Sequence, residues 1–280
     1  MSPQPQPPPL LLGCDFSSAP SARKPIVVAL GAVRGARVTL SKLLPFATLE
    51  GWGQWLHDTP AWIGGFDLPF GLPRELVEQL GWPLKWRACM AHYAGLERAQ
   101  IRDAFAAFCD ARPVGGKFAH RRTDLPAGSS PSMKWVNPPV AFMLHAGVPR
   151  LLAAGAALPG LHAVPGATRI ALEAYPGLLA RELIGRRSYK SDDLARQDTE
   201  RWVARADLLS ALERGATRLD LRLSLTHAQR DQLLADARGD ALDAVLCLVQ
   251  AAWAARQGHE GHGYGLPADL DPLEGWILSA

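Results

Sequence analysis

Short apolar runs closed by turn residues open the chain, and longer stretches of helical periodicity follow them. The run 10–16 (LLLGCDF) is nearly all apolar and predicts a buried strand. Residues 17–24 supply turn chemistry. Residues 26–30 and 36–40 predict two more strands, separated by Gly31 and Gly35. Three strands with such short connections predict an antiparallel meander.

A helical stretch around 49–57 and Pro60 come next, then a fourth strand over 62–66 that ends at Asp67-Leu68-Pro69. A strand, a helix and another strand signal a crossover, so this strand should run parallel to an earlier one. From 74 to about 158 the pattern is mostly helical, with Trp86, Met90, Tyr93, Leu96 and Ile101 at helical spacing. An irregular stretch, 113–139, interrupts it. It carries Lys117, Arg121, Arg122 and Lys134 among glycines, serines and prolines, and reads as a solvated loop that can line a phosphate path, with Trp135 as a stacking face. Residues 167–174 predict a fifth strand, and helices follow from 178 to about 256.

The order predicts an α/β fold: a mixed five-stranded sheet flanked by helices, with a helical insertion between the fourth and fifth strands at about 74–162. Residues 1–9 (MSPQPQPPP) read as a loose proline-rich tail, and 10–280 as a single domain.

Composition narrows the class. The 280 residues are 48% hydrophobic and 20% charged, which is globular material with ample length for a core. A formal net charge of +3 is too mild to announce a nucleic-acid surface, so any basic patch must come from clustering. Cys14, Cys89, Cys109 and Cys247 form no C-x-x-C pair. Cys14 and Cys247 sit in apolar patterns and read as buried free thiols, which favours a reducing compartment. The N-terminal residues lack the pattern of a secretory signal, and no apolar run reaches about 18 residues, so the expectation is a cytoplasmic protein without a membrane partner.

The informative chemistry is acidic. Asp15, Asp67 and Glu173 each sit where an apolar strand pattern ends, and Asp240 and Asp243 lie in the segment 239–246 (GDALDAVL). Carboxylates in apolar surroundings are costly to ionise, and several together call for a cation. Magnesium or manganese suits an all-oxygen set. If the first, fourth and fifth strands are adjacent and parallel, Asp15, Asp67 and Glu173 collect beyond their carboxyl ends. Such a cluster can hold two metals about 3.5–4 Å apart for an in-line displacement at phosphorus. Each position also has a structural alternative. Asp15 can form an Asx turn, Asp67 can cap the helix beginning near Pro73, and Glu173 can be solvated at its strand end. Asp240 can be a helix N-cap with Asp243 as the acid at N3.

The segments GCDFSSAP (13–20), GGFDLPFGLP (64–73), LEAYPG (172–177), SDD (191–193), GDALDAVLCLVQAAWA (239–254) and EGWILSA (274–280) resemble, in this order, a family of predicted nucleases with a ribonuclease-H-like fold. That family has long been catalogued as a domain of unknown function. The closing motif is similar to the last acidic motif of Holliday-junction resolvases in the same superfamily. The resemblance implies metal-ligand roles for Asp15, Asp67, Asp240 and Asp243, with Glu173 as a further catalytic carboxylate. It implies a magnesium- or manganese-dependent nuclease and nucleic acid as partner. Lys190, in the Arg-Arg-Ser-Tyr-Lys run 186–190, joins Arg121 and Arg122 as a candidate phosphate contact. The other functions to weigh are a non-catalytic module that binds nucleic acid or protein on the same fold, and a sugar-kinase or actin-like phosphotransferase. Asp15-Phe16-Ser17-Ser18 lacks the glycine that such a phosphate clamp uses. His259 and His262 have H-x-x-H spacing, but the glycines around them favour a surface loop.

Overall fold

Six strands form one mixed sheet in this computed structural model, which describes residues 10–258 and 262–280. The proline-rich segment 1–9 and His259 lie outside the described residues. Strand β1 (Leu10–Asp15) runs antiparallel to β2 (Ile26–Arg34), which pairs with antiparallel β3 (Arg37–Phe46). These three are the expected meander, though β2 and β3 extend well beyond their apolar cores. Helix α1 (Leu49–Asp58), started by the Thr48 side chain accepting from the Gly51 N–H, carries the chain over to β4 (Trp62–Asp67). There β4 adds parallel to β1.

Helices α2 (Arg74–Gln79), α3 (Trp86–Ala94), α4 (Arg98–Asp110), α5 (Asp124–Ala127) and α6 (Val140–Ala153) separate β4 from β5 (Arg169–Glu173), which lies parallel to β4. The chain continues through α7 (Pro176–Ile184) and α8 (Thr199–Arg214) to β6 (Arg222–Ser224), then α9 (His227–Ala235) and α10 (Asp240–Arg256). The sheet order is β5-β4-β1-β2-β3-β6.

The sixth strand corrects the five-stranded expectation. It pairs parallel with β3 at Arg37–Thr39, within a stretch assigned to closing helices. The signal was present: Leu219, Leu221, Leu223 and Leu225 alternate with Asp220, Arg222 and Ser224, a period of two that no helix uses.

Strand alternation sends the side chains of β1 into two separate cores. Leu12 and Cys14 join Trp52, Phe66, Tyr93 and Phe105 on the face covered by α1, α3, α4 and α6. Leu11 and Val27 join residues of α7, α8, α9 and α10 on the other. Helix α10 lies directly on β1, β2 and β4 because glycines face it. A Cβ on Gly13 would stand 2.0 Å from the Leu248 nitrogen, and one on Gly65 would stand 2.6 Å from the Cys247 oxygen. This close approach brings the first turn of α10 to the carboxyl ends of β1 and β4.

The segment 113–139 is not a solvated loop throughout. Ala119, Arg121, Thr123, Asp124, Ala127, Ser132 and Met133 are buried within it. All four cysteines are buried and unpaired with each other.

Candidate metal centre

Parallel pairing of β1 with β4 sets Asp15 directly beside Asp67 at the last register position. Side chains of paired residues in parallel strands leave the same face, so both carboxylates point toward α10. Asp243, one turn into α10 and fully buried, completes a triad whose nearest carboxylate oxygens all lie within 4.8 Å of one another.

The start of α10 explains why Asp243 is available. Gly239 precedes the helix with φ +78, and the Asp236 carboxylate accepts from the N–H groups of Gly239 (3.2 Å) and Ala241 (2.8 Å). Asp236, not Asp240, therefore satisfies the free helix N–H groups. Asp240 is the first helical residue and Asp243 the fourth, which removes the capping alternative for both. Asp240 stays outside the triad and lines the cleft beside Asp15. The helix-capping alternative for Asp67 also fails, since the Arg74 N–H at the start of α2 donates to Glu274.

Burial dominates the electrostatics. Desolvation and then the Asp243 charge push the Asp67 carboxyl up to about 7, and the same two causes raise Asp15 well above the usual carboxylate range. Asp240 is pushed up to about 6 by burial and by Asp236. Tyr189 donates its hydroxyl to one Asp243 oxygen, and the Lys190 ammonium pairs with the other. Among the described residues, no donor hydrogen-bonds the Asp15 or Asp67 side chains.

Glu173 is not part of this centre. The register of β5 against β4 sets Glu173 beside Phe66, one position short of Asp67. That single step turns its side chain to the opposite face. There Arg121 holds it with two nitrogens at 2.7 and 2.8 Å, and the Phe70 N–H donates to it at 2.9 Å. Burial raises the Glu173 carboxyl even so, against the opposing pull of Arg121.

Arg121 is a correction as well. Its five N–H donors are all engaged, by Asp124, Glu173 and the Glu274 carbonyl, in a fully buried network. Nothing remains to meet a phosphate. Arg122 is exposed, and its guanidinium donates to the Asp269 backbone and side chain rather than facing the triad. Lys117 lies by Asp110, and Trp135 packs on Phe118. Of the basic residues expected at the site, Lys190 alone reaches it.

Two others were missed. Lys24 and Arg238 line an open cleft of about 540 Å³ with Asp15, Asp240 and Lys190. Lys24 pairs with Asp192 across it at 2.5 Å. Lys24 sits in a turn and Arg238 just before a helix, positions at which the sequence shows only ordinary surface charge. Comparison with protein families, with curated proteins and with solved structures found no match to this chain.

Proposed function

We propose that the chain is a divalent-metal-dependent hydrolase of phosphodiester bonds, built on a ribonuclease-H-like fold of the family whose motifs it resembles. The observation that carries this reading is the triad itself: three carboxylates from three distant segments, two of them without a hydrogen-bond donor among the described residues, gathered at the carboxyl ends of parallel strands. The antiparallel meander with β4 and β5 added parallel to β1 supports the fold assignment.

The donor set fits a hard cation, since Asp15, Asp67 and Asp243 offer only oxygen, and the Cys14 thiol leaves the other face of the sheet. Magnesium or manganese held there supplies Lewis-acid polarisation of a phosphoryl oxygen and a more acidic bound water. The chain's own groups do the rest. Lys190, Lys24 and Arg238 line the approach as candidate phosphate contacts, with Lys24 held by Asp192 and Asp240 adding a further carboxylate. Tyr189 fixes the Asp243 carboxylate in one orientation.

Asp15→Asn tests the assignment. It should abolish manganese-dependent cleavage of a labelled oligonucleotide while leaving the fold intact by circular dichroism; cleavage that persists in the purified variant sinks the proposal.

The Lys190–Asp243 pair favours a second reading, in which the chain supplies its own cation and the module binds nucleic acid or protein without catalysis. Manganese then gives no rise in melting temperature, whereas a metal centre is stabilised by its ligand.

A further inference from the structure

Beside the triad, on the Asp67 side, lies a second cavity of about 210 Å³. It is lined largely by apolar groups, among them Leu68, Val140, Met143, Ala174 and Ile277, with Tyr175 as an aromatic wall. Arg181 lies over the Tyr175 ring at 5.3 Å and also donates to its hydroxyl at 3.2 Å, which holds the ring in place. The half-buried Ser129 and Ser130 hydroxyls add hydrogen-bonding groups to an otherwise greasy lining.

Lys190, Pro138 and Met143 border both this cavity and the charged cleft by Asp15, so the two adjoin on either side of these residues. The two differ in chemistry. The Asp15 side is polar and carries Lys24, Lys190 and Arg238 against Asp15, Asp192 and Asp240. The Asp67 side is mostly apolar; of its four charged members, Arg121 and Glu173 pair with each other, while Asp67 and Lys190 face the triad.

We propose that the Asp67-side cavity binds one unstacked nucleobase of the substrate, beside the phosphodiester at the triad, so that the substrate is a strand with at least one unpaired nucleotide. This rests on the phosphodiester reading, because that reading makes the groups flanking the reacting phosphorus nucleosides. Size then selects the occupant. The cavity falls below the roughly 300–1,000 Å³ of drug-sized ligand pockets and suits a single ring system, not a stacked pair. Tyr175 gives that ring a partner of the kind on which single-stranded nucleic acids stack without sequence preference. A base inside a duplex reaches such a pocket only by leaving its stack, which favours single strands, loops and ends.

Calorimetric titration of the whole chain with manganese present, using a deoxynucleoside 5′-monophosphate and deoxyribose 5-phosphate in parallel, measures what the base contributes. The nucleotide should bind about tenfold more tightly than the sugar phosphate. Val140→Trp, which fills the cavity, should bring the two affinities together. Equal affinities in the wild-type chain overturn the pocket assignment, and so does a difference that survives in folded Val140→Trp. Should that variant not fold, the wild-type comparison decides alone. Manganese-dependent hydrolysis of bis(p-nitrophenyl) phosphate separates the two failures. Hydrolysis without base-dependent binding removes the pocket and keeps the hydrolase. Base-dependent binding without hydrolysis keeps the pocket and removes the catalytic reading.

Discussion

Two carboxylates at adjacent strand ends have opposite fates, and one residue of register decides them. Asp67 faces α10 beside Asp15, while Glu173 faces the helical layer and Arg121. The sequence marks both as acids closing apolar runs, so their presence near the sheet edge was legible. Which face each uses was not, because pairing register is a property of two distant strands. The consequence is testable. Arg121→Ala leaves Glu173 and Asp124 buried without their counter-charge, and should cost about 3–5 kcal/mol in denaturant unfolding. Arg121→Lys should recover little, since an ammonium cannot replace five planar donors. Asp67 differs in kind. Its carboxyl titrates at about 7 in the fold, above the ordinary value of 3.8, so the folded state binds the extra proton between those limits. Its contribution to stability is therefore complete below about pH 3.8, is lost as pH rises through about 7, and changes no further above that. In metal-free buffer, Asp67→Asn should flatten the fall in melting temperature over pH 4–8; an unchanged slope counts against a perturbed Asp67.

Helix α10 converts strand geometry into a site, and its placement depends on what the sheet lacks. Gly13 and Gly65 offer hydrogens where any side chain would strike the helix backbone. Gly13→Ala should cost about 1–3 kcal/mol through overpacking. It should also weaken manganese binding, because Asp243 moves with the helix; a destabilised variant with unchanged manganese affinity would show that the site tolerates the shift. The helix itself was legible from its apolar run, as was the pair of aspartates in its first turn. Its cap was not. Asp236 lies before the motif and reaches forward past Gly239 to the first N–H groups, a geometry set by the left-handed glycine between them. The short strand β6 was overlooked for another reason. Its alternating leucines sit between helices α8 and α9, and a three-residue strand gives little weight to a period-two pattern.

Across the whole molecule, the centre joins four segments that are far apart in the chain: Asp15 on β1, Asp67 on β4, Lys190 before α8, and Asp243 on α10. Such a junction couples local charge to global stability. Without metal, the Lys190 ammonium is the cation at hand; burial disfavours its charge, but Asp243 and Asp15 outweigh that and hold it protonated. It thus offsets part of the repulsion among the three carboxylates. A divalent ion would take over that role and release Lys190 toward the cleft it already borders. The two cations therefore substitute for one another, and removing one should increase dependence on the other. Lys190→Met should lower the melting temperature in chelator, yet enlarge the rise on adding manganese relative to the unaltered chain. At a manganese concentration of about 100 times Kd, binding to the native state adds about 2.7 kcal/mol whatever the baseline, so the larger rise must come from tighter binding, which titration calorimetry reads directly. If Lys190→Met binds manganese no more tightly, the ammonium does not compete for the triad, and the Lys190–Asp243 pair is a structural tie alongside the metal site.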